Sequence, residues 1–283
     1  MARTTGRNRY IAIVAVSVVA LSGVITGSLA KATEYARAAP AAAPEGAAPV
    51  PRDPDPAAPR ELTPEPVATP TGSASAAPGD GPVASSITHD TEAGGRSVSI
   101  TVDDGPDPVW TPKVLALLKK YDVKAVFCMI GPEARARPDL VRKVLADGHR
   151  LCDHSVDHNT AMDQRSESYQ EQQVLDAQQM IEKAAGDGVP IHYYRAPGGA
   201  FTPYSRGLAA QHGMRPLGWS VDTRDWERPG VDHIVKAIEQ GLTDGPIVLV
   251  HDGGGDRGQT VAALEQTIPW LKEHGYVFSF PKI

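Results

Sequence analysis

The chain has 283 residues, 41% hydrophobic, 22% charged and 6% aromatic, with a formal net charge of −6. Two cysteines exclude a disulfide-dense miniature scaffold and a cysteine-rich zinc fold. The acidic balance argues against a nucleic-acid partner, because phosphate binding rests on grouped Lys and Arg.

At the N-terminus, Arg3, Arg7 and Arg9 precede an apolar run from Tyr10 to Leu29. A basic head followed by an apolar stretch predicts a secretory signal, with small-residue cleavage points after Ala30 or Ala32. The run is long enough to act instead as an uncleaved membrane anchor. Either reading sends the chain out of the cell, as a secreted or membrane-anchored protein. From Lys31 to Pro82, 12 of the 25 prolines are concentrated, and Tyr35 is the sole aromatic residue between Lys31 and Gly95. Such a composition buries too little apolar surface to offset ordering entropy, so residues 31–95 read as a disordered Pro/Ala-rich linker. It would act as a spacer tethering a catalytic head to membrane or wall.

Residues 96–283 are patterned differently. Apolar, β-branched runs at Ser97–Val102, Lys124–Ile130, Ile191–Tyr194, Leu217–Val221, Ile247–Val250 and Tyr276–Phe280, with a weaker one at His149–Cys152, predict strands. Helical periodicity lies between them, at Thr111–Tyr121, Pro138–Asp147, Ser166–Ala185, Pro203–His212, Val231–Leu242 and Thr260–His274. This alternation predicts an α/β fold, with about seven parallel strands closing into a barrel rather than an open sheet.

In a parallel barrel the reactive face lies at the C-terminal ends of the strands. Asp103 and Asp104 follow the first run; Asp153, His154 and His158 the third; Arg195 the fourth; Asp222, Asp225 and Trp226 the fifth; His251 and Asp252 the sixth. A merely solvated rim would be rich in Lys, Glu and Ser instead. His154 and His158 are four residues apart, the spacing that places two imidazoles on one side of a helical turn. With Asp104 they make an Asp-His-His set, which leaves a position open for water on a catalytic zinc. The same donors suit a non-haem iron triad, on scaffolds that this pattern does not suggest. Adjacent strand residues point to opposite faces, so Asp103 and Asp104 share one site only if the strand breaks, and Gly105-Pro106 supplies a break. Cys128 and Cys152 fall on consecutive strands. In an exported protein this suggests one disulfide, with two buried thiols as the competing reading.

Five ordered stretches then carry a resemblance. They are Thr101-Val102-Asp103-Asp104-Gly105-Pro106, His154-Ser155-Val156-Asp157-His158, Arg195-Ala196-Pro197-Gly198-Gly199, Asp222-Thr223-Arg224-Asp225-Trp226 and Leu249-Val250-His251-Asp252. Together they resemble the motifs of the polysaccharide deacetylase family (carbohydrate esterase family 4). The resemblance spans essentially all of residues 96–283 and none of 1–95. It implies a distorted (β/α) barrel and metal-dependent removal of acetyl groups from N-acetylglucosamine-containing glycans, peptidoglycan or chitooligosaccharide, with Zn²⁺ as the cofactor or Co²⁺ in its place. It implies Asp103 as general base, Asp104, His154 and His158 as metal ligands, and His251 as general acid. Arg195 would orient Asp103 and Asp225 would hold His251. The Gly198 amide would bind the oxyanion, and Pro197, Trp226 and Leu249 would wall the acetyl pocket. An O-acetyl xylan esterase or a non-catalytic glycan-binding module on the same fold are the alternatives.

Two positions depart from the family pattern. Gly198 stands where an aromatic residue is common, and Asp153 where Asn is common. Nothing in the sequence sets the oligomeric state.

Overall fold

A computed structural model describes residues 83–283. The expected signal or anchor at 1–30 and the linker up to residue 82 lie outside the described residues.

The strand at the centre of the sheet, β1 (Ser97–Asp103), is buried along its whole length. That is the signature of a parallel strand covered on both faces. Val98, Ile100 and Val102 join the main apolar core with the surrounding helices. The alternate residues Ser97, Ser99, Thr101 and Asp103 fall on the opposite face, as strand pleating requires. A smaller cluster, including Val126, Cys128, Cys152, Tyr193 and Leu217, forms a second core.

After β1 come α1 (Trp110–Lys120), β2 (Val126–Met129), α2 (Gly131–Ala136), α3 (Pro138–Ala146) and β3 (Arg150–Asp153). Then follow α4 (Glu167–Ala185), β4 (Tyr193–Tyr194), α5 (Pro203–Gln211), β5 (Arg215–Pro216) and β6 (Val221–Asp222). The chain ends with α6 (Val231–Gln240), β7 (Ile247–His251), α7 (Gly258–Glu273) and β8 (Val277–Phe278). The pairing order is β5-β4-β3-β2-β1-β7-β6, every pair parallel, with β8 added to the start of β1. Among the described residues β5 and β6 do not pair, so seven parallel strands make a curled barrel that stays open. This is the fold class the sequence predicts. Cys128 and Cys152 are register partners on β2 and β3 and form a disulfide.

Two sequence expectations need correction. The run Leu217–Val221 is not one strand: β5 ends at Pro216 and β6 starts at Val221. Between them the carbonyls of Leu217 and Gly218 accept hydrogen bonds from Arg195 instead of joining a ladder. Residues 83–95, expected within the disordered linker, are instead attached to the domain. Thr88 bridges Leu217, Asp90 bridges Pro246 and Thr91 bridges Pro281, with Thr88 and Thr91 buried. α2 was not expected, because six residues are too few to display a helical period.

Candidate active site

The strand ends open into a cavity of about 560 Å³. Asp103, Asp104, His154, His158, Arg195, Gly198, Trp226, Leu249 and His251 all line it. Residues far apart in sequence are thus gathered because each follows a neighbouring parallel strand.

Asp103 is the last residue of β1, and the strand stops there because Asp104 adopts a left-handed backbone (φ 77°). Successive carboxylates therefore reach one site instead of opposite faces. Asp104 Oδ1 lies 3.5 Å from His154 Nε2 and 3.2 Å from His158 Nε2. The two imidazoles do not sit on a helical turn, as their spacing predicts. They occupy a loop in which Ser155 (φ 67°) and His158 (φ 54°) are left-handed. Left-handed backbone is costly for residues other than glycine, and here surrounding hydrogen bonds hold it. Asp153 accepts from the Ser155 amide (2.7 Å), Ser155 Oγ from the His158 amide (3.2 Å), and Gln173 of α4 from the amides of Val156 and Asp157. Asp153 thus braces the loop, and no hydrogen bond joins it to either imidazole. Its full burial pushes its carboxyl up to about 8.

The donor set fits a metal ion. Ligand atoms about 2.0–2.2 Å from a tetrahedral ion sit about 3.3–3.6 Å apart, close to the separations from Asp104 to each imidazole. Asp104 Oδ1 is buried and receives no hydrogen bond among the described residues. His154 Nδ1 lies 2.8 Å from the Arg195 carbonyl, which can only accept, so the proton sits on Nδ1 and the Nε2 lone pair faces the cavity. The electrostatics ask for positive charge. Burial would raise the Asp104 carboxyl, but the two imidazoles and the charge of His251 outweigh it and hold it well below the carboxylate range. Burial likewise opposes a charge on His154, but Asp103 and Asp104 outweigh it and push that imidazole upward.

Two buried pairs flank this cluster. Arg195 Nη1 donates to Asp103 Oδ1 at 2.7 Å, and Asp103 Oδ2 lies 3.5 Å from His154 Nε2. On the other side, His251 Nδ1 donates to Asp225 Oδ1 at 2.7 Å, which leaves Nε2 for the cavity. Asp225 Oδ2 accepts from the His251 amide and from Thr260 Oγ1. Burial opposes a charge on His251, but Asp225 outweighs it and raises its pKa. An acid must be protonated to donate, so activity should fall as pH rises through that raised value. In Asp225→Asn the descending alkaline limb of kcat is expected at lower pH. A limb that stays in place in a pH–rate profile would break the Asp225–His251 link.

The acetyl-pocket residues divide. Trp226 stands at the mouth, about half exposed, and Leu249 is a buried wall on β7. Pro197 is corrected: Ala196 and Gly198 line the cavity, while Pro197 between them is buried and does not. Gly198 is left-handed (φ 60°), and a Cβ there would lie 3.1 Å from Thr160 Cβ. Thr160 therefore occupies the space beside residue 198, and glycine meets the backbone demand. Thr160, Trp219, Gly254 and Arg257 also line the cavity, outside the five stretches that carry the resemblance. Arg257 donates to the Gly253 carbonyl at 2.7 Å and makes no ion pair among the described residues. Its place in a glycine-rich loop carries no periodic signal.

Residues 90–217 match the family model described as polysaccharide deacetylase. The chain is 41% identical over 185 residues to a peptidoglycan-N-acetylglucosamine deacetylase of Bacillus cereus, covering 65% of this chain and 85% of that protein. It is 39% identical over 196 residues to a chitooligosaccharide deacetylase of Sinorhizobium fredii, covering 65% and 89%. Among solved structures, it resembles a family 4 carbohydrate esterase from Streptomyces lividans in complex with acetate. The TM-score is 0.59 and the identity 30%, with 64% of this chain and 91% of that one covered.

Proposed function

Because the chain belongs to the polysaccharide deacetylase family and is a hydrolase of that kind, we propose that it removes N-acetyl groups from N-acetylglucosamine units of peptidoglycan or chitooligosaccharide with the help of a divalent cation. One observation carries this reading. The Asp104, His154 and His158 donor atoms lie within 4.8 Å of one another, between a buried Asp–Arg pair and a buried His–Asp pair.

Asp104, His154 and His158 would hold the cation, Zn²⁺ or Co²⁺, which would polarise the acetamide carbonyl and lower the pKa of water in the open position. The remaining work falls to the protein's own groups. Asp103 Oδ2, free of the Arg195 hydrogen bond, takes the proton from the attacking water. Arg195, completely buried, fixes the orientation of that carboxylate through the Nη1 hydrogen bond. The Gly198 amide offers a donor to the developing oxyanion. His251 Nε2 delivers a proton to the departing amine, with Asp225 holding the ring and favouring its charged form. Leu249 and Trp226 enclose the acetyl methyl group and keep bulk water from it.

The Cys128–Cys152 disulfide supports an oxidising compartment. That agrees with the export expected from the N-terminal segment and with a glycan substrate outside the cytoplasm.

The test is acetate release by the full chain from chitooligosaccharide, peptidoglycan and acetyl-xylan. Release from an N-acetylated substrate is expected. Release from acetyl-xylan alone would make the chain an O-acetyl esterase, and release from none would make it a binding module.

A further inference from the structure

Arg195 is completely buried, and each of its three nitrogens is engaged. Nη1 donates to Asp103 and to Thr101 Oγ1, Nε to the Leu217 carbonyl at 3.1 Å, and Nη2 to the Gly218 carbonyl at 2.9 Å. Two consecutive carbonyls on a stretch outside any strand therefore hold the guanidinium. That stretch is held in turn by the segment just ahead of the domain that the sequence delimits. The Thr88 amide donates to the Pro216 carbonyl and the Gly218 amide to the Thr88 carbonyl, both at 2.9 Å. His89 Nδ1 donates to the Trp219 carbonyl at 3.1 Å. The fit on Gly218 is close: a Cβ there would lie 2.3 Å from His89 Cε1 and 2.8 Å from Ile87 Cγ2. The far end of the segment is tied down as well. The Thr91 amide donates to Gly245, the Glu92 amide to Phe280, and Arg150 pairs with Glu92 at 2.6 Å.

We propose that Ile87–Thr91 is a strap that positions the catalytic base, by fixing the Leu217 and Gly218 carbonyls that fix Arg195, which fixes Asp103. The inference rests on the deacetylase reading above, with Asp103 as base. Its physical basis is that misplacement by about 1 Å of a reacting group can cost orders of magnitude in rate. It also means that residues 96–283 alone lack a part of the catalytic apparatus.

The test uses the full chain. Thr88→Pro removes the amide that donates to Pro216, and kcat is expected to fall roughly tenfold with KM little changed. Thr88→Ala keeps the backbone pairing and should match wild type. In an Arg195→Lys background the path is already cut, so Thr88→Pro should cost less than about twofold more. An unchanged kcat, or the same loss in both backgrounds, would overturn the proposal. The latter is what a merely structural strap would give. Should Thr88→Pro not fold, His89→Ala replaces it in the same cycle. His89→Asn, which restores a donor to Trp219, should recover the activity, and failure to recover it counts against the strap. A wild-type chain that releases no acetate sinks the deacetylase reading instead. Hydrogen exchange at the Gly218 amide then decides the strap: protection lost in the Thr88 or His89 variant supports it, and equal protection refutes it.

Discussion

Asp104→Asn and His154→Ala are each expected to reduce acetate release to background and to lose the bound cation. Asn tolerates the left-handed backbone at 104 and preserves the side-chain shape, so the substitution removes charge with little change in fold. His154 is buried with its ring fixed by the Arg195 carbonyl, so alanine there removes a proposed ligand held in a defined orientation. His158 has a side chain 35% exposed and should be the most forgiving of the three. Metal content by elemental analysis and acetate by enzymatic assay check both halves. A His154→Ala protein that still turns over at the wild-type rate would remove that residue from the metal site.

Asp103→Asn should separate the chemistry from metal binding. The three proposed cation ligands are untouched, so metal content should stay near wild type while kcat falls by about 10²–10⁴, the usual cost of losing a general base. The same change leaves the buried Arg195 without its carboxylate partner. Breaking a buried pair in this way commonly costs about 3–5 kcal/mol, and the retained amide oxygen should reduce the loss because it can still accept from Nη1. Thermal melts must therefore accompany the kinetics. A folded, metal-loaded Asp103→Asn enzyme with wild-type kcat would assign the base elsewhere.

What the sequence disclosed, and what it concealed, follows from the kind of signal each feature leaves. Asp103 and Asp104 were legible because they end an apolar run and precede Gly-Pro, and His251 because it ends another. The pairing of His154 with His158 was legible from spacing, but its geometry was not. Left-handed backbone at Ser155 and His158 has no hydropathic period, and the Gln173 that accepts from the loop amides lies on the following helix, α4. Leu217–Val221 has the composition of a strand, but its Leu217 and Gly218 carbonyls accept from the Arg195 side chain instead of a neighbouring strand. Residues 83–95 read as linker because their hold on the domain is largely through backbone hydrogen bonds, which composition does not encode. The motif predicts Pro197 in the pocket, but the turn at 197–199 presents its neighbours Ala196 and Gly198 instead.

The measurement that bears most directly on the proposed chemistry is acetate release from an N-acetylated glycan by the full chain. It would be taken as purified, after exhaustive chelation, and after titration with Zn²⁺ or Co²⁺. Loss of turnover on chelation, and recovery that saturates at one ion per chain and fails in His154→Ala, is the predicted result. Undiminished turnover by protein shown to be free of metal would contradict it.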